Sequence, residues 1–276
     1  MILFKHLLRA TTFFLYKLFL GSILERQREK RKNKRVLLQI NSGIGDSILV
    51  LPLIHELARR DYEIHAIVNQ FTKSIAKYCP DITKYYQIDY SIANIIETAK
   101  LIVELNKLQF TYYVGALPSN IIRDAFLPLI LRIPIRIKHV SPHKERYRNY
   151  DFIFNRLARL NPNQNNTDSN LTLSRMLENS KKTGQVVHNI VLPDEVIQRM
   201  KLKLKELGYS EDFITIGVHP GCKETWAFKR WPPERYASLL DQIAKKNNSQ
   251  MILFGGLEEK AIADYIIQKT EAAPLN

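Results

Sequence analysis

From Val36 onward the chain alternates short apolar runs with amphipathic segments, and this rhythm restricts the possible folds more than any other feature of the sequence. Val36-Leu-Leu-Gln-Ile40 has the continuous apolar character of a strand covered on both faces. A glycine-rich turn follows, then a helix reaching Leu57. Ile64–Val68 and Tyr85–Ile88 read as the next strands, a helix covers residues 91–107, Phe110–Val114 is another strand and residues 119–131 another helix. Strands that alternate with helices pair in parallel, because each crossover helix carries the chain back to the same end of the sheet. Pro52 lies within the first helix and, lacking an N–H, should bend it or delay its start.

Residues 161–170, Asn-Pro-Asn-Gln-Asn-Asn-Thr-Asp-Ser-Asn, form the clearest loop or linker in the chain. A second α/β unit is expected after it. Its helix covers residues 194–207 and ends at Gly208; its strands are Phe213–Val218 and Met251–Phe254 with a helix between, and Val186–Val191 is a third candidate strand. The expected organisation is therefore an N-terminal segment 1–35, a Rossmann-like domain 36–180 and a smaller Rossmann-like domain 181–276.

The charge is unevenly placed. Lys and Arg number 41 against 27 Asp and Glu, a formal excess of +14 that calls for an anionic partner. Residues 1–35 hold ten basic side chains, from Lys5 to Arg35, against only Glu25 and Glu29. Residues 2–24 are rich in Leu, Phe and Ile, and their interruptions Lys5, His6, Arg9 and Lys17 fall within an arc of about 120° on a helical wheel, although Phe13 and Leu20 intrude on it. A helix that lays its apolar side into the bilayer surface, followed by a polybasic run on anionic headgroups, makes a two-signal membrane anchor. A spanning helix would have to bury Lys17 near its centre at ~3 kcal/mol. A cleaved signal peptide would place its charges before the apolar stretch and small residues at its end. A nucleic-acid arm would leave the Phe/Leu stripe unexplained, so no nucleic-acid partner is expected. No run of 18 uncharged apolar residues occurs, which excludes a polytopic membrane protein. Cys79 and Cys222 cannot by themselves make a disulfide framework or a structural zinc site, and Cys79 reads as a core residue.

Two strand-end loops carry the chemical signal. In doubly wound sheets, ligands bind beyond the carboxyl ends of the strands. Asn41-Ser-Gly-Ile-Gly-Asp46 stands there after the first strand. Gly43 and Gly45 would let the backbone turn tightly and approach a ligand, and Asp46 would project from the helix start; the plainer alternative is that Asp46 only caps the helix. It is neither a dinucleotide fingerprint, because Ile48 stands where a third glycine belongs, nor a P-loop, because no Gly-Lys-Ser/Thr follows. The second loop runs from His219 to Arg235. Gly221 and Cys222 can offer backbone N–H groups, and Lys223, Lys229 and Arg230 supply positive charge. The plainer reading there is a solvated basic loop, with His219 structural.

Together these loops resemble glycosyltransferase family 9, the ADP-heptose:lipopolysaccharide heptosyltransferases. The resemblance is carried by Leu38-Gln-Ile-Asn-Ser-Gly-Ile-Gly-Asp-Ser-Ile-Leu-Val-Leu-Pro52, by Ile216-Gly-Val-His-Pro-Gly221 with Lys229-Arg-Trp-Pro-Pro-Glu-Arg-Tyr236, and by Leu253-Phe-Gly-Gly-Leu-Glu-Glu259, in that order and spacing. It runs from Val36 to about Asp264, and residues 110–190 match only in rhythm. It implies the GT-B arrangement, two Rossmann-like domains facing a cleft, with the second incomplete here. It also implies inverting, metal-independent transfer of heptose from ADP-heptose to the inner core of lipopolysaccharide, with no cofactor, on the cytoplasmic face of a bacterial inner membrane. Under the resemblance Asp46 is the general base. Gly221, Cys222, Lys229 and either Glu258 or Glu259 bind the nucleotide-sugar donor, while Ser42, Gly43, Gly45 and Arg123 bind the acceptor. Arg132, Arg136, Lys138, Lys144, Arg146 and Arg148 could also meet an acidic acceptor, but read more readily as surface charge. The family's downstream Asp-x-Gly-x-x-His donor motif has no counterpart after Glu259, so the 276-residue chain by itself is expected to transfer no sugar. The alternative from another class is a non-catalytic, membrane-tethered α/β protein that holds an anionic glycolipid or nucleic acid.

Overall fold

The computed structural model describes residues 32–40, 43–88, 94–116, 122–140, 150–161, 163–178, 186–222, 224–246 and 248–276. The expected membrane helix and most of the basic run therefore lie outside the described residues. Among those described, no helix is long and apolar enough to cross a membrane. The chain divides into two compact units, one ending at Val191 and the other running from Leu192 to Asn276.

The first unit is built on six parallel strands: β1 Arg35–Ile40, β2 Glu63–Val68, β3 Lys84–Gln87, β4 Tyr112–Gly115, β5 Ile135–Val140 and β6 Arg156–Arg159. Their order across the sheet is β3-β2-β1-β4-β5-β6. Successive residues of β1 and β2 point to opposite faces, and both faces are covered. Val36, Leu38, Ile40, Ile64, Ala66 and Val68 enter one core, while Leu37 and Ile67 enter the other. The first core is closed by helix α2 (Leu51–Ala58), through Leu53, Ile54 and Leu57, together with Leu173 and Leu177. The second is closed by Leu105 of α4 (Ile95–Lys107) and Leu127 of α5 (Ile122–Ile130). A short α1 (Ile44–Ile48) precedes α2, and α3 (Lys73–Ala76) lies between β2 and β3. Pro52 falls in the first turn of α2, where its missing N–H costs nothing; the chain accordingly restarts its helix there rather than running on from α1. Cys79 is buried in the first core as expected, and that burial pushes its thiol up to about 11, which leaves it unreactive.

Two expectations for this unit change. The Asn-rich stretch 161–170 is not all linker: helix α6 starts at Asn166 and runs to Glu178. Asn165 caps it, its side-chain oxygen accepting from the Asp168 N–H at 2.9 Å. The helix packs with Ser169, Asn170 and Ser174 as well as Leu171, Leu173 and Leu177 buried, so its inner face is partly polar and carries little apolar periodicity. The second change concerns β5, Ile-Arg-Ile-Lys-His-Val, whose alternating charges suggested solvent. All six residues are buried. The Arg136 guanidinium donates to the carbonyls of Ile153 (2.6 Å), Ile133 (2.8 Å) and Pro134 (3.1 Å). Lys138 Nζ meets Asp151 Oδ1 at 2.7 Å and lies 5.1 Å from the Phe154 ring centroid. These two cations are structural, not surface charge.

Residues 186–191 also belong to the first unit. They form no strand. Val191 N–H donates to the Tyr78 carbonyl at 2.8 Å and Asn189 Nδ2 to Asp81 at 2.9 Å, so the division between units falls after Val191, later than the boundary at 180/181 expected from sequence.

The second unit has helix α7 (Asp194–Glu206), strand β7 (Ile214–Val218), helix α8 (Pro233–Lys246), strand β8 (Ser249–Leu253) and helix α9 (Lys260–Lys269). Gly208, at φ +86°, turns the chain out of α7 in a conformation that other residues resist. β7 and β8 pair in parallel, and Leu275 adds a parallel bridge on β8, its N–H donating to Met251 O and its carbonyl accepting from Leu253 N. The core is small: Val218, Leu240, Met251, Leu253, Ala263 and Ile266.

Arg136→Ala removes the donor to the buried Ile153 and Ile133 carbonyls, while the Pro134 carbonyl keeps Asn155 Nδ2 at 2.7 Å, and unfolding experiments should find a loss of about 3 kcal/mol. Arg132→Ala, at an exposed helix end, should stay within ~0.5 kcal/mol. A pH dependence follows from His139, whose pKa burial lowers to about 4, partly offset by hydrogen bonds to Asn170 and the Ala158 backbone. The unfolded chain binds this proton more readily, so the stability that neutrality contributes is complete above the ordinary value of 6.5 and is lost as pH falls towards 4. Urea titrations at pH 7 and pH 4 should give a difference, relative to His139→Gln, of roughly 3 kcal/mol.

Candidate functional site

In the strand order of the first sheet, successive crossovers leave β1 in opposite directions, so a crevice opens beyond the carboxyl ends of β1 and β4. The loop after β1 leads to this point. Gly43 precedes α1 in an extended conformation (φ −81°, ψ 172°). Among the described residues, nothing beyond the adjoining chain lies within 4 Å of where a Cβ would stand at Gly43 or Gly45. Ser47 is buried, and its hydroxyl donates to the Gly43 carbonyl at 2.9 Å, folding the turn onto itself. Asp46, in the first turn of α1, is exposed, and no described side chain caps the helix. Arg123 lies in the first turn of α5, the helix that leaves β4 on the other side of the same crevice. Ser42 lies outside the described residues, as do Lys144, Arg146 and Arg148.

The second unit repeats this placement. The loops after β7 and β8 lie side by side because the strands are paired. Glu259 stitches them together. Its Oε2 accepts from the Gly256 N–H at 2.7 Å, and a Cβ built on Gly221 would stand 2.0 Å from Glu259 Cγ. Glycine at 221 is required by this close approach. Glu259 is half-buried, whereas Glu258 is exposed. Cys222 is half-buried beside Gly221, and its carbonyl accepts from Arg230 Nη2 at 2.6 Å, which fixes the loop's course. Lys229 ends a short 3₁₀ turn, Glu224–Lys229; it is exposed, with Nζ 6.0 Å from the Phe228 ring centroid. His219, which the sequence suggests is structural, is exposed just after β7. Lys223 lies outside the described residues.

The sequence-derived residues thus gather in two groups: Gly43, Gly45, Asp46 and the start of the Arg123 helix around one strand-end crevice, and Gly221, Cys222, Glu259 and His219 around the other. The first offers an exposed carboxylate within a glycine turn. The second offers backbone N–H groups and a carboxylate held between two glycine turns. Among the described residues, no three His, Cys, Asp or Glu side chains gather as a metal site requires.

No family model matches the chain, and no curated protein matches it. Solved structures do. The family 9 glycosyl transferase from Veillonella parvula covers 87% of this chain with 68% of its own, at a TM-score of 0.69 and 18% identity. Escherichia coli ADP-heptose lps heptosyltransferase II covers 87% with 70% of its own, at TM-score 0.64 and 19% identity. The E. coli heptosyltransferase WaaC with ADP covers 86% with 72% of its own, at TM-score 0.61 and 15% identity. At such identities the likeness establishes the fold: this chain has the α/β architecture of the GT-B class expected from its motifs.

The Gly221–Glu259 contact generates a prediction. Gly221→Ala should destabilise the second unit by ~1–3 kcal/mol by displacing Glu259, and the loss should shrink to less than ~0.5 kcal/mol when measured in a Glu259→Ala background. Additive losses would separate the two residues.

Proposed function

We propose that this protein is an inverting, metal-independent glycosyltransferase that moves heptose from ADP-heptose to the inner core of lipopolysaccharide. The observation that carries the reading is Asp46: an exposed carboxylate in a glycine turn, at the switch point of a sheet shared with heptosyltransferases. A sugar hydroxyl is a poor nucleophile. Asp46 takes its proton as the acceptor oxygen bonds to the anomeric carbon; the bond from that carbon to the diphosphate oxygen breaks, its electron pair leaves with ADP, and configuration inverts. Charge that builds on the leaving diphosphate meets Lys229 and the N–H groups at Gly221 and Cys222. Glu259, rather than Glu258, is assigned to the donor's ribose hydroxyls, because its carboxylate lies between Gly221 and the Gly255-Gly256 turn. Gly43, Gly45, Ser42 and Arg123 are assigned to the acidic acceptor, and residues 1–35 to a peripheral hold on the cytoplasmic face of the inner membrane.

Transfer of radiolabel from ADP-heptose to heptose-deficient lipopolysaccharide tests the reading. Acceptor binding without transfer by any form of the protein would favour a non-catalytic glycolipid binder instead. In protein that transfers sugar, Asp46→Asn should lower turnover by ~10²–10⁴-fold and leave ADP affinity, measured by calorimetry, within about twofold. Near wild-type turnover would remove Asp46 from the mechanism.

A further inference from the structure

Asp46 sits on a helix of only five residues, far below the length that holds itself together in water. Ile44, Gly45 and Asp46 are exposed, and Ser47 alone is fully buried. A general base must nevertheless keep its place, since a displacement of about 1 Å can cost ~10²-fold in rate. The question is what fixes the turn.

Its C-terminal end provides the answer. At the break between α1 and α2, the Leu49 carbonyl accepts from Asn170 Nδ2 at 2.9 Å. Asn170 belongs to α6, is 1% exposed and lies 121 residues away in sequence. Its other amide atom, Oδ1, is 3.2 Å from His139 Nε2 on β5, and His139 is also 1% exposed. The directions of these bonds follow from chemistry. A carbonyl can only accept, so Asn170 must turn Nδ2 towards Leu49 and Oδ1 towards His139, and His139 must then carry its proton on Nε2. The chain of donors runs one way: imidazole to amide to the backbone of the Asp46 turn.

We propose that Asn170 is the positioning residue of the Asp46 turn, and that His139 holds the Asn170 amide in the orientation this requires. The inference rests on the reading of Asp46 as base for its consequence in catalysis, but its structural half stands apart from that reading. A buried Asn is costly unless both amide groups are used. Here both are used, and the use is directed at the backbone that carries the candidate base.

Hydrogen exchange and kinetics test the two halves separately. Asn170→Ala should accelerate amide exchange over residues 43–50 by about tenfold or more, while β1 and β2 stay protected. His139→Leu should act in the same direction. His139→Gln, which can place an amide donor where Nε2 stands, should restore protection to near wild type. Unchanged exchange over 43–50 in folded Asn170→Ala protein overturns the proposal, whatever the substrate. In protein that transfers sugar, Asn170→Ala should lower kcat by about tenfold or more with KM for the donor unchanged, yet have little further effect in Asp46→Asn protein. Equal effects in both backgrounds would make Asn170 an ordinary core residue and overturn the proposal. Wild-type turnover by Asp46→Asn would instead defeat the base assignment and leave the exchange result standing.

Discussion

The parallel hydrogen-bond ladder of the first sheet, covered by helices on both faces, is the constraint on which the rest of the unit depends. Parallel pairing forces every connection to cross over, and crossing in both directions from β1 creates the one gap where strand-end loops are not overlaid by a neighbouring connection. Double coverage also excludes water from strands that still contain Arg136, Lys138 and His139. Arg136 is met by carbonyls, Lys138 by Asp151 and the Nε2 of His139 by Asn170. The polar interior of this unit is therefore organised around its strand ends, and the proposed site draws its support from the same bonds that keep the sheet dry.

The two units differ in how much of themselves they bury. In the first, whole strands are inaccessible. In the second, most of β7 is open, with Ile214 63% exposed, and α7 has no buried residue. Such a unit owes its order to local devices more than to its core: the Gly208 turn, the Arg230 bond to the Cys222 carbonyl, the Glu259 stitch and the Leu275 bridge. Several of these devices lie in the loops proposed to bind the donor, so what holds the loops and what would bind a nucleotide there are largely the same groups.

How legible this was from sequence depended on whether a residue's role is set by its neighbours in the chain. The βα rhythm, the restart of the helix at Pro52, the end of α7 at Gly208 and the two strand-end loops are local, and each was readable. Helix α6 was not, because an Asn-, Ser- and Thr-rich face looks solvated until its distant partners are known. The roles of Arg136 and Lys138 were hidden for the same reason: the carbonyls of Ile153 and the carboxylate of Asp151 arrive from a later segment. Within the proposed site, two adjacent carboxylates in sequence do not reveal that Glu259, and not Glu258, lies between the glycine turns. That placement shows only in the 2.7 Å bond from Gly256 and the crowding at Gly221.

The contrast between the two cysteines has a practical side. Cys79 is sealed in the first core with its thiol pushed up to about 11, whereas Cys222 is half-open beside the glycine turn proposed to face the nucleotide. A thiol-directed fluorophore applied to the unmutated chain would consequently attach at a single position, within the loop proposed to bind the donor. The molecule carries its own attachment point for an optical reporter, and occupancy of that loop becomes something that can be followed in real time by emission rather than by product analysis.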